Sequence, residues 1–149
     1  MRNLCQLEEL GLTCLGCCGH DFKSMKEVMK AIDKNTSEFQ DFTENPKGFR
    51  DRHPCNIVRV AGVCYNVVWR DKGRTKVFCP LHPEAAGKPD LRQGHCRPEH
   101  LCRTSLKFNS WSDKRQQEYM EFLKSKNLNW YEYSIKTDNG KLLEEFERS

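Results

Sequence analysis

The sequence predicts an α+β domain: a small antiparallel sheet, two main helices and a loop-rich, metal-stapled cysteine region. Three observations predict it. Eight of nine cysteines fall into groups with metal-ligand spacing, a long helical pattern follows the first group, and three short runs of β-branched and aromatic residues follow the helix. At 149 residues the chain has the length of one domain, 1–149. Its metal-binding part is expected over about 12–104, with a C-terminal helix plus hairpin over about 110–147.

In chain order, Leu4, Leu7 and Leu10, ending at Gly11, suggest a brief helix that places Cys5 in its apolar packing. Ser24-Met-Lys-Glu27 reads as a capping box, and Met25, Val28, Met29, Ile32, Phe39 and Phe42 share one helical face. One amphipathic helix is therefore expected from Ser24 to about Thr43, covering the metal-bearing part and stopped by Asn45-Pro46-Lys47-Gly48. Asn56–Val60, Val63–Trp69 and Thr75–Phe78 read as consecutive antiparallel strands, separated by Ala61-Gly62 and Asp71-Lys72-Gly73. Pro80 to Pro98 is rich in proline and reads as loop. Ser112 caps a helix to about Lys126, Leu128–Lys136 reads as a strand, Asp138-Asn139-Gly140 as a turn, and Lys141–Phe146 as the returning partner.

The cysteines carry the chemistry. Cys14-Leu-Gly-Cys17 is a turn that presents two thiolates to one ion, and thiolate is the soft anionic donor that zinc and iron–sulfur clusters take. Cys18 adjoins Cys17, and neighbouring side chains point apart, so the two serve different ions or one of them is structural. Cys79-Pro-Leu-His82 is a second, proline-stiffened turn, with His82 either an imidazole ligand or a loop residue bonded to backbone. Cys96 and Cys102 stand near His95 and His100; Cys55 follows a turn into the first predicted strand and Cys64 is mid-sheet, where buried core cysteine is the competing reading. A thioredoxin-like pair at Cys14 and Cys17 lacks the βαβ setting it needs. A phosphatase-type loop after Cys96 fails because Cys102 stands where its arginine belongs. No nucleotide-binding loop or His-Glu-x-x-His motif is present, and nothing identifies a catalytic base or nucleophile.

Charge and apolar content narrow the partners. The formal net charge is +4 with every cysteine neutral. A zinc held by four thiolates carries a net charge of about −2, so two such sites would cancel the excess. Charge alone therefore gives nucleic acid no support, while a protein partner stays open. No run approaches the roughly 18 apolar residues of a membrane span. The start, Met-Arg-Asn-Leu-Cys-Gln-Leu-Glu-Glu-Leu, carries acids where a signal peptide has its apolar core. A cytoplasmic protein is expected, in which clustered thiols favour metal over disulfides, with a secreted disulfide protein as the minority reading.

The pattern from Cys14 to Cys102 resembles the cysteine-cluster family of zinc- or iron-chelating domains, mostly bacterial and archaeal. The resemblance rests on the early cluster ending in Cys17-Cys18, the Cys79-Pro80 turn and Cys102-Arg103. It departs in lacking one further cysteine close before Cys14, unless Cys5 fills that place, and in its histidines around His82 and His95. The resemblance implies chelation rather than a known reaction. The residues together predict a metal-binding protein with zinc in a mainly structural role, held by Cys14, Cys17, Cys18, Cys55, Cys64, Cys79, Cys96, Cys102 and His82. An iron–sulfur or metal-dependent redox enzyme, and a metal-stapled protein- or nucleic-acid-binding module, are the alternatives.

Overall fold

The computed structural model describes residues 3–54, 57–82, 90–92 and 101–148. Helices dominate it, with two small antiparallel sheets, so the α+β class stands at that level. The chain divides into two compact units, Met1–Cys17 with Leu101–Ser149, and Cys18–His100. No helix among the described residues is long and apolar enough to cross a membrane.

In the first unit, β1 (Gln6–Leu7) pairs antiparallel with β2 (Leu12–Thr13) around a 3-10 turn, Glu8–Leu10. The expected N-terminal helix is thus a hairpin. Gly11 ends the turn at φ +65°, a backbone region that favours glycine, and the chain doubles back so that Leu4, Leu7 and Leu12 all enter the core. Four helices follow: α3 (Arg103–Asn109), α4 (Asp113–Lys126), α5 (Trp130–Asp138) and α6 (Lys141–Arg148). Ser112 caps α4 as expected, its hydroxyl accepting the Arg115 amide.

The predicted C-terminal hairpin is replaced by α5 and α6. Asn129 accepts the Glu132 amide at 2.8 Å and starts α5, whose Trp130, Tyr133, Ser134 and Thr137 are buried at helical spacing. Leu142, Leu143 and Phe146 form the buried stripe of α6. These stripes close a core with Leu4, Leu7, Leu12, Phe108, Tyr119, Met120 and Leu123. Period 3.6 burial on the partners available outweighs the β propensity of Trp-Tyr-Glu-Tyr-Ser-Ile.

In the second unit, α1 (Met25–Phe39) starts where expected, with Ser24 Oγ accepting the Glu27 amide, and runs on through a 3-10 turn at Gln40–Phe42. Asn45-Pro46 ends one helix and begins another. Asn45 Oδ1 accepts the Gly48 amide at 3.0 Å and Pro46 occupies the first turn of α2 (Pro46–Asp51), where a missing N–H costs nothing. Of the predicted meander, β3 (Val68–Trp69) and β4 (Val77–Phe78) pair antiparallel, and Val58 bridges Cys64. Two of the three expected strands thus form, over shorter spans, and among the described residues the first is represented by that single bridge at Val58. Val28, Ile32, Phe49, Val63, Val68, Val77 and Leu81 are buried in this unit. Asn35 on α1 is fully buried and satisfied: its amide donates to the Cys64 and Val67 carbonyls, and its oxygen accepts from Arg59.

Candidate metal centre

The hairpin sets the first two thiols opposite each other. Register pairs Gln6 with Thr13, so Cys5 and Cys14 face across the next rung, where the Cys14 amide donates to the Cys5 carbonyl at 3.0 Å. Beyond β2 the Cys14–Cys17 turn is held against α5. Buried Leu15 donates its amide to the buried Ser134 hydroxyl at 3.0 Å. Gly16 lies so close to α5 that a Cβ there would stand 2.6 Å from Asp138 Cβ and 2.9 Å from the Ser134 carbonyl oxygen. The Gly16 amide points at Cys14 Sγ at 3.3 Å, and Cys17 Sγ stands 3.9 Å from Asp138 Oδ1.

Cys102 arrives from the other end of the unit as the N-cap of α3. Its Sγ accepts the Ser105 amide at 3.5 Å and lies 3.6 Å from the Ser105 hydroxyl. Thr104 fastens this start of α3 to α5 by donating to the Thr137 carbonyl at 2.7 Å. Both the Cys14–Cys17 turn and the α3 start are therefore tied to the Ser134–Asp138 half of α5, and the Cys17 and Cys102 thiols hydrogen-bond to each other.

Four thiols share one electrostatic neighbourhood. Burial raises the Cys14 pKa most, and Cys5 and Cys102 raise it further against the Gly16 amide. Cys17 is raised first by its hydrogen bond to Cys102, then by burial, then by the other thiols. Cys102 goes the other way, to about 5: the Cys17 hydrogen bond lowers it most, burial opposes, and Ser105 and the Thr104 amide add to the lowering. One proton thus leaves the group readily and the rest are held back by burial and like charge. A cation among the sulfurs would reverse that sign, because each thiolate would then face positive charge. Burial also raises the Tyr119 pKa, and its electrostatic neighbours are Cys102 and Cys14; among the described residues its buried hydroxyl has no hydrogen-bond partner.

The second unit places the other predicted donors. The Cys64 amide donates to the Cys18 carbonyl at 2.8 Å, and the next residue, Gly19, bridges Val63. Cys64 opens a turn in which the Asn66 amide approaches its Sγ at 3.5 Å; burial raises its pKa, against the Asn66 amide and the Arg52 charge. The Cys79–His82 turn is closed as expected, the His82 amide donating to the Cys79 carbonyl at 3.0 Å, with Leu81 buried. His82 adds to the lowering of the Asp90 pKa, after the larger effect of the Arg92 hydrogen bond. Cys55 and Cys96, with His95 and His100, lie outside the described residues.

No disulfide joins any two of the seven described cysteines. Among the described residues, no three His, Cys, Asp or Glu side chains stand where they would hold a metal ion as they are. In the first unit the thiols stand beside an oxygen donor, the Asp138 carboxylate 3.9 Å from Cys17 Sγ. Sequence reasoning placed Cys5 in the packing of a short helix, whereas the hairpin sets it across from Cys14. The signal was Cys5 and Cys14 placed evenly about a turn ending in glycine, a hairpin spacing that the leucine triplet disguised as a helix.

No family model matches the chain, and neither a curated protein nor a solved structure matches it.

Proposed function

We propose that this chain is a zinc-binding protein in which clustered cysteines hold the metal in a mainly structural role. What supports the reading is backbone placement: the hairpin sets Cys5 across from Cys14, and the Cys14–Cys17 turn and the start of α3 at Cys102 are both tied to α5. Four thiols complete a tetrahedral zinc shell and leave no position for water, which suits a staple rather than a catalyst. The amides of Gly16 and Ser105 aimed at Cys14 and Cys102 support thiolate there. Cys18, Cys55, Cys64, Cys79, Cys96 and His82 remain the candidate donors for a further ion. Such thiols stay available to metal in a reducing compartment, which favours the cytoplasm.

The test is elemental analysis and a visible spectrum of the chain purified without oxygen or chelators. Expected is at least one zinc per chain in a colourless protein. Iron with broad absorption near ~400 nm would replace zinc by a cluster, the reading that clustered thiols also admit. Metal well below one ion per chain would overturn metal binding.

A further inference from the structure

We infer that the outward face of α1 and the turn joining β3 to β4 form a docking surface for a nucleic-acid double helix, gripped through its phosphates. Both elements lie in the second unit, where residues 18–100 carry 15 Lys and Arg against 11 Asp and Glu, so the whole excess of +4 sits there. Lys26, Lys30 and Lys34 repeat every fourth residue, exposed on the side of α1 away from its buried stripe of Val28, Ala31, Ile32 and Asn35. At ~1.5 Å rise per residue the three cover about 12 Å of helix. The β3–β4 turn is fastened beside them: Trp69 Nε1 donates to Asp33 Oδ1 at 2.7 Å, and the Arg74 guanidinium donates to Asp33 Oδ2 at 2.9 Å, one helical turn from Lys30. This adds exposed Lys72 and Arg74 to the lysine row.

The positive charge of this surface is not cancelled from within. Asp33 is engaged by Trp69 and Arg74, Asp71 accepts the Thr75 and Lys76 amides inside its own turn, and Glu38 is held by Arg52 and Arg59. Glu27, in the first turn of α1, is left to oppose the row. Among the described residues Lys26, Lys30, Lys34 and Lys72 have no carboxylate partner. Neither element contains a cysteine, so this charge is the same with and without zinc. The surface is also bare of large exposed apolar or aromatic side chains among the described residues. A membrane is held by an apolar face as well as by charge, and protein interfaces centre on aromatic anchors and are depleted in lysine. Single strands stack on aromatic rings. A duplex carries one charge per about 1.7 Å of axis, so a row of this length meets several phosphates without any of these.

The experiment is fluorescence anisotropy of a labelled DNA duplex of about 20 base pairs, titrated with the full chain at several salt concentrations. Five phosphate contacts give a slope of log affinity on log salt of about −4.5, a loss of roughly 500-fold between ~50 and ~200 mM. Replacing Lys26, Lys30 and Lys34 together by glutamine should bring the slope to about −2 and weaken binding at least about tenfold at ~50 mM. Lys107, Lys114 and Lys124 of the first unit, replaced together by glutamine, remove the same charge and should leave the slope as in wild type. All six are exposed helix positions, and lysine and glutamine are similar helix formers, so both variants should match wild type in far-UV circular dichroism. Equal losses in the two variants, or no duplex binding at ~50 mM salt, would overturn the surface. Displacement of the duplex by phosphatidylserine vesicles or polyglutamate as readily as by unlabelled duplex of equal charge would overturn nucleic acid as its occupant.

Discussion

Replacing Ser134 by alanine tests whether the Cys14–Cys17 turn is held by α5. In the wild type the Ser134 hydroxyl accepts the Leu15 amide at 3.0 Å, and both residues are at most 1% exposed. Alanine removes the acceptor and leaves almost no cavity, so a buried N–H is stranded at a cost of about 1–3 kcal/mol. Alanine is the better helix former by roughly 0.5 kcal/mol, which offsets part of that loss. The net expectation is a destabilisation of about 0.5–2.5 kcal/mol. Urea unfolding followed by tryptophan fluorescence measures it, because Trp111 and Trp130 both lie in this unit. Amide exchange at Leu15 should rise in step. Since Leu15 sits between two proposed ligands, zinc affinity should also weaken, at the lower end of the roughly ten- to hundredfold typical of supporting residues. Ser125→Ala is the control, because that exposed hydroxyl only caps its own helix at the Phe122 carbonyl. If the Ser134 variant lies within about 0.5 kcal/mol of wild type, as an ordinary surface change would, the turn is not anchored as argued.

Two further perturbations probe each unit separately. Gly16→Ala drives a Cβ to 2.6 Å from Asp138 Cβ and 2.9 Å from a backbone oxygen, so the turn must move off α5. A loss of about 2 kcal/mol or more is expected in the same urea assay, and a neutral result would show that the close approach is not needed. In the second unit, burial works against ionisation of Glu38, but hydrogen bonds and charge from Arg52 and Arg59 outweigh it and hold its pKa below the ordinary 4.5. A folded-state pKa below the unfolded one means stability that is present above 4.5 and lost as pH falls through the lower value. Glu38→Gln should remove that contribution and flatten the acid limb of the urea midpoint; an unchanged acid limb would place the pH dependence elsewhere.

The local turns and helix caps were legible because neighbouring residues set them. Cys14-x-x-Cys17 and Cys79-x-x-His82 form turns at the sites their sequences specify, and Ser24 and Ser112 cap the helices expected of them. The place of Cys5 was not legible, because Leu4, Leu7 and Leu10 fit a helical turn as well as one side of a hairpin. Only burial of Leu12 with Leu4 and Leu7 decides between the two. The C-terminal third misled for a related reason. Aromatic and β-branched residues at Trp130–Ile135 favour a strand locally, while their burial on tertiary partners follows a helical period. A better signal lay one step earlier, in Asn129 followed three residues later by Glu132. Cys102 was read as a donor, and its place as the N-cap of α3 depends on a helix that no apolar run announced.

Native mass spectrometry of the full chain, purified without oxygen or chelators, tests zinc binding by the clustered cysteines most directly. The expected species carries at least one zinc, bound with loss of thiol protons. Stripping that zinc should make Cys5, Cys14, Cys17 and Cys102 newly reactive to alkylation. A chain of bare polypeptide mass, even after incubation with zinc, and with unchanged thiol reactivity, would contradict it.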